Sequence, residues 1–266
     1  MYKMVSGKLN KILLLIFVLY AGNTLACSCI PPKFVEKYIQ SDFVAVAKII
    51  KVYQNEGEEE LYKADILIRD LFKGQNLNSI YIEGRSDGKK GSSCNLVIPV
   101  NTELIIYASK NGNKQFSFGS CSRYLILNRQ WKHSEEQEKR ELGMLNMLRA
   151  KNINYTNKIW FGKKMGFSGE LERFKGVQLN KSYAVFELAF GANLAVKSVE
   201  QISGFGSDVD NELIKMLEKS KWGSIDVKSQ DVIIKDTVPE GSKILVGFYF
   251  YEAEAGYESF VGEYDL

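Results

Sequence analysis

Residues 27 to 32 read Cys27-Ser28-Cys29-Ile30-Pro31-Pro32, and the meaning of that stretch depends on what precedes it. Lys3, Lys8 and Lys11 make a basic segment, and Ile12-Leu13-Leu14-Leu15-Ile16-Phe17-Val18-Leu19-Tyr20 an apolar one. Thr24-Leu25-Ala26 then puts small residues where a signal peptidase reads. Residues 1–26 therefore have the three parts of a signal peptide. The apolar run falls well short of the ~20 residues that a spanning helix needs. The expectation is cleavage after Ala26, with Cys27 as the first residue of a secreted or periplasmic chain.

Lipid anchoring through Cys27 is the alternative in a bacterial envelope. Thr24 counts against it, because a lipobox has a large aliphatic residue there. Cysteine parity counts against it too. The chain has four, Cys27, Cys29, Cys94 and Cys121; lipidating one strands a thiol in an oxidising compartment, whereas two disulfides strand none.

At 266 residues, with 45% hydrophobic and 12% aromatic side chains, the chain can build packed cores in two domains. Without the three leader lysines, 32 basic side chains face 32 acidic ones. That balance lacks the basic footprint of a nucleic-acid binder. An enzyme is not expected either. The single histidine, His133, sits at the edge of a helix start and reads as solvated, and no Ser–His or Cys–His dyad can be built without it. The cysteine spacing does not match a zinc finger, and no glycine-rich phosphate loop is present. Glu58-Glu59-Glu60 falls in a charged turn that reads as flexible. No cofactor is implied.

Downstream, Lys33 to Gln40 can form a short helix, with Phe34, Val35 and Tyr38 on one side. Five strands follow: Phe43 to Tyr53, Leu61 to Phe72, Ser79 to Glu83, Thr102 to Ala108 and Gln115 to Phe118. On the second of these, Ala64, Ile66, Ile68 and Leu71 are expected to point inward. Gly84 to Ser93 is a polar loop that delivers Cys94, and Asn111-Gly112-Asn113 reads as a hairpin turn. Five antiparallel strands with unequal loops imply an all-β barrel of the OB type. Ser134 to Arg149 has a capping-box start with Gln137 and an apolar face of Leu142, Leu145 and Leu148, edged by Met144 and Met147.

Residues 150–158 are polar and suit a linker. The remainder, residues 159–266, reads as an α+β domain. It has a hairpin from Tyr183 to Ile202 and a helix capped by Asp208 or Asp210, running to about Lys219 and closed by Trp222-Gly223. Strands are expected at Val232-Ile233-Ile234 and from Lys243 to Tyr251. The tail from Glu252 to Leu266 carries no pattern that places it.

Residues 27–149 resemble the tissue inhibitors of metalloproteinases, within the netrin-like class. The resemblance rests on Cys27-Ser28-Cys29-Ile30-Pro31, on Ser41-Asp42-Phe43-Val44-Ala45-Val46-Ala47-Lys48, on Leu71-Phe72-Lys73-Gly74, and on Cys94 and Cys121 with Trp131 after them. It implies disulfides Cys27–Cys94 and Cys29–Cys121. The family's third bridge is absent because Ile39 stands at one of its positions, so the later helix would be held by packing alone. The resemblance further implies that the Cys27 α-amine and carbonyl chelate the zinc of a partner metalloprotease. Ser28 would enter the protease's specificity pocket. Cys29, Ile30 and Pro31 would extend the contact, and Ser92, Ser93 and Cys94 would form its neighbouring edge. The alternative is a non-inhibitory envelope protein-binding module.

The second half resembles the C-terminal domain of TonB-type proteins over about residues 175 to 251, on the Tyr183 to Ile202 hairpin, the following helix, Lys221-Trp222 and Phe248-Tyr249-Phe250. That implies contact with an envelope protein along a sheet edge.

Overall fold

The computed structural model describes residues 29, 32–122, 124–130, 134–164, 166–228 and 231–263. Helix α1 (Phe34–Gln40) leads into β1 (Phe43–Val52), β2 (Leu61–Lys73), β3 (Ser79–Glu83), β4 (Glu103–Lys110) and β5 (Phe116–Phe118). A short β6 (Leu125–Ile126) and a long helix α2 (Ser134–Ala150) follow. The strands are ordered β1-β2-β3-β5-β4, and β1 also pairs with β4, so the sheet closes into a five-stranded barrel; β6 adds to β4 outside the ring. Register shifts along β1 and β2, at Val44/Ala45, Val46/Ala47 and Ile49/Lys51, help the long pair to curl.

One expectation is corrected here. The barrel is not wholly antiparallel: β3 and β5 pair in parallel. Parity requires this, because five strands of alternating direction cannot close a ring without one parallel neighbour.

Each strand presents alternate side chains to the barrel interior. Phe43, Ala45, Ala47 and Ile49 of β1 meet Ala64 and Ile66 of β2, Ile80 and Ile82 of β3, Leu104 and Ile106 of β4, and Phe118. Ile68 and Leu71, expected inward, are only half-buried. The opposite faces of β1 and β4 are buried as well: Val44, Val46, Ile105 and Tyr107 belong to a second apolar cluster with α1 and α2. Burial on both sides explains why Phe43-Val44-Ala45-Val46-Ala47 is an unbroken apolar run and not an alternating one.

Gly74 makes the corner after β2. Its φ is +92°, and a Cβ there would stand 2.6 Å from the Asp42 carbonyl oxygen, so only glycine fits.

The second half contains β7 (Trp160–Lys163), α3 (Ser168–Leu171), β8 (Tyr183–Phe190), β9 (Val196–Ser203), α4 (Val209–Glu218), β10 (Trp222–Lys228), β11 (Asp231–Lys235), β12 (Lys243–Tyr251) and β13 (Phe260–Gly262). One sheet runs β13-β12-β8-β9 and the other β11-β10-β7. The hairpin and both later strands stand where expected, but Trp222 does not close the helix. It opens β10 and buries its ring against Phe167 and Phe190. The tail is placed in part, since Phe260–Gly262 pairs with Tyr249–Tyr251. Asp210 turns its carboxylate back onto the amides of Phe205 and Gly206, 2.8 Å from each. It fixes the turn before α4 while lying inside the helix.

Apolar side chains of both halves form one continuous cluster, in which Phe34, Val44 and Leu145 join Phe186, Trp222 and Phe248. Residues 151–158 run beside the end of α1. The Asn157 amide donates to the Ile39 carbonyl (2.7 Å) and the Tyr38 hydroxyl to the Ile153 carbonyl (2.6 Å). No helix among the described residues is long and apolar enough to cross a membrane.

Candidate functional site

The site begins at the first described cysteine. Cys29 is disulfide-bonded to Cys121, with Cα atoms 5.5 Å apart across 92 residues of chain. Cys121 lies in a 3-10 turn, Ser120–Ser122, just beyond β5. Its neighbour Ser120 donates a hydroxyl hydrogen bond of 2.9 Å to the carbonyl of Cys94. Cys94 is itself disulfide-bonded; Cys27, the partner that the resemblance implies for it, lies outside the described residues. One covalent bond and one hydrogen bond thus bring Cys29, the end of β5 and the end of the β3–β4 connector to the same rim of the barrel.

The connector is held by a polar network rather than by apolar packing. Gly84 approaches the chain so closely that a Cβ would stand 2.3 Å from the Leu96 carbonyl oxygen. Arg85 is buried, and its guanidinium grips the carboxylate of Asp87 through two nitrogens while donating to the carbonyls of Glu58 (3.1 Å) and Gly57 (3.3 Å). This forked contact draws the Asp87 carboxyl down to about 2, by hydrogen bonding to Arg85 in the first place. Asn55 donates to the Gly84 carbonyl and accepts from the Ser86 amide. Glu60 accepts from the Ser92 amide at 2.8 Å. The β1–β2 loop, expected to be a flexible charged turn, is therefore tied to the connector along much of its length.

Of the residues that sequence reasoning singled out, Cys29, Ser92, Ser93 and Cys94 are described. Ser92 and Ser93 are exposed at the rim, and Cys29 and Cys94 are partly covered. Cys27, Ser28, Ile30 and Pro31 lie outside the described residues, as do His133 and Trp131. Of the residues that position this rim, Glu60 reads in the sequence only as part of a charged turn, and Asn55, Arg85 and Asp87 carry no signal of their role. Arg85 and Asp87 are two apart in a polar loop, a spacing that gives no sign of a buried guanidinium. Among the described residues no cluster of His, Cys, Asp and Glu could hold a metal ion.

The fold and rim define a closed barrel of the OB type whose N-terminal arm is stapled to one end. No protein-family model matches the chain, and no curated protein is similar to it.

Proposed function

We propose that the mature protein is an inhibitor of a zinc endopeptidase, acting through the α-amine and carbonyl of Cys27 once residues 1–26 have been removed. The observation that carries this reading is the Cys29–Cys121 disulfide beside the Cys94 carbonyl. A chain terminus two residues from such a staple has little freedom, so presenting it to a partner costs little ordering entropy. A free α-amine has a pKa near ~8 and can offer its lone pair to zinc at neutral pH. Bound there with the carbonyl, it would displace the water that the protease activates. Ser28 would point into the specificity pocket, and exposed Ser92 and Ser93 would line the adjoining edge. The protein itself is not an enzyme in this reading and needs no resident metal.

The sheet β13-β12-β8-β9 supports a second partner. In this proposal an envelope protein adds a strand along β9, whose outer edge pairs with no described strand.

The test titrates the mature protein against a panel of zinc endopeptidases, beside a variant with one extra alanine before Cys27. Inhibition by the first and its loss in the second is the expected result. Equal potency of the two forms, or an acylated Cys27 on mass spectrometry, rules out the chelating amine and leaves a binding module that inhibits nothing.

A further inference from the structure

We infer that the cleft at the end of β12 binds a basic peptide segment of a partner protein, seating an arginine side chain against tyrosine. This inference stands apart from the inhibitor reading, since it uses none of the barrel-rim residues. The cleft has a volume of about 850 Å³, inside the roughly 300–1,000 Å³ range of ligand sites. It lies between the β12–β13 connection and the turn after α3.

Its floor is aromatic. Tyr251 stacks on Phe260 with ring centres 4.5 Å apart, and Tyr249 meets Tyr251 edge-on at 4.8 Å. Tyr257 stands at the rim, 78% exposed. Such faces attract cations, and guanidinium most often. The protein already uses this chemistry at the same wall, because the Arg140 guanidinium packs 4.6 Å from the centre of the Tyr249 ring.

The rim has the matching charge. Six glutamates line the cleft against one lysine, Lys175. Four of them are engaged or sit by a cation: Glu172 pairs with Lys175, Glu263 with Lys33 and Lys163, Glu258 lies in the field of Lys175, and Glu136 has a partner of its own. Glu252 and Glu254 are exposed and form no ion pair among the described residues. A negative rim around an electron-rich floor fits a positively charged, planar side chain and disfavours an acidic one. The Glu254–Tyr257 bridge shapes the wall that a short extended peptide would lie along.

The experiment measures binding of a labelled Gly-Arg-Gly-Arg-Gly peptide to the mature full chain at low salt, with a citrulline analogue as neutral isostere. Saturable binding of the arginine peptide alone is expected. The double variant Glu252→Gln/Glu254→Gln should weaken it roughly five- to tenfold, and Tyr257→Leu about two- to fivefold. These positions are exposed, so the variants leave the fold intact. Equal binding of the two peptides, unchanged affinity in the variants, or binding of spermidine with none of the peptide would each overturn the inference.

Discussion

The ammonium of Lys37 lies 2.6 Å from the carboxylate of Glu141, both side chains more than nine-tenths buried although 104 residues separate them. The same carboxylate oxygen accepts the Tyr107 hydroxyl at 2.7 Å, and the ammonium stands 4.2 Å from the centre of the Tyr107 ring. Burial, reinforced by Glu141, holds the Tyr107 phenol well above its ordinary value. The trio ties α1, the helix next to the stapled arm, to α2 and to the outer face of β4. Helix α2, expected to be held by packing alone, is therefore also held by a buried polar contact.

Removing one member of this pair leaves a buried charge with no counter-ion. Lys37→Met and Glu141→Met are therefore each expected to cost about 3–5 kcal/mol alone, and the two together in one chain markedly less than the single losses combined. Urea denaturation followed by circular dichroism measures all three. Additive losses would show that the ion pair is not what couples the helices.

The Cys29–Cys121 bridge closes a span of 92 residues. In the chain-entropy model a loop of that length is worth about 4–5 kcal/mol. Cys29→Ser/Cys121→Ser should lose stability on that scale in denaturant. If the inhibitor proposal holds, it should also lose inhibition under conditions where the barrel remains folded. A variant that is as stable and as potent as the parent would mean that the staple serves neither purpose.

The barrel was legible because its strands are local signals. Phe43 to Val52 and Ser79 to Glu83 announce themselves by β-branched content, and the turns between strands by Gly and Asn. Interactions between distant residues were not legible. Glu141 and Lys37 each look like a solvated charge on a helix, since nothing local says that the two helices bury them against each other. Trp222 followed a helix and looked like its stop, but the stacked rings of Phe161 and Phe190, 5.0 Å apart, make the aromatic environment in which it begins a strand. At the rim the cysteines were evident from parity, whereas Arg85 was hidden because two of the four hydrogen bonds of its guanidinium go to backbone carbonyls, which carry no sequence signature.

Gly74 offers a sharper test of local geometry. Gly74→Ala must carry a Cβ at positive φ and push it into the Asp42 carbonyl, at a cost of roughly 1–3 kcal/mol. Gly112 has neither a positive φ nor a neighbour within 4 Å, so Gly112→Ala should stay within about 0.5 kcal/mol of the parent. Thermal melts of the two variants side by side decide the matter, and equal melting temperatures would remove the constraint assigned to the β2 corner.

Lys73, one residue earlier, should give the protein a pH dependence in the alkaline range. It is buried, and its ammonium donates to the Tyr38 carbonyl at 2.9 Å, at the C-terminal end of α1. Burial brings its pKa down from 10.5 to about 7, with nearby Asp42 opposing the shift and Lys158 adding to it. Between those two values the unfolded chain holds a proton that the folded chain has released. Stability therefore rises with pH across that window and reaches its full value above 10.5; the penalty is complete below about 7. One proton allows a slope of at most about 1.4 kcal/mol per pH unit. Tyr38, raised by burial to about 12, acts in the opposite sense only at higher pH, and Lys163, also lowered by burial, acts in the same sense, so the difference between parent and Lys73→Met from pH 7 to 9.5 isolates Lys73. Lys73→Met removes the titrating group, so its profile should be flatter than the parent's. Parallel profiles would mean that Lys73 keeps its proton in both states and that the carbonyls of α1 compensate for its burial.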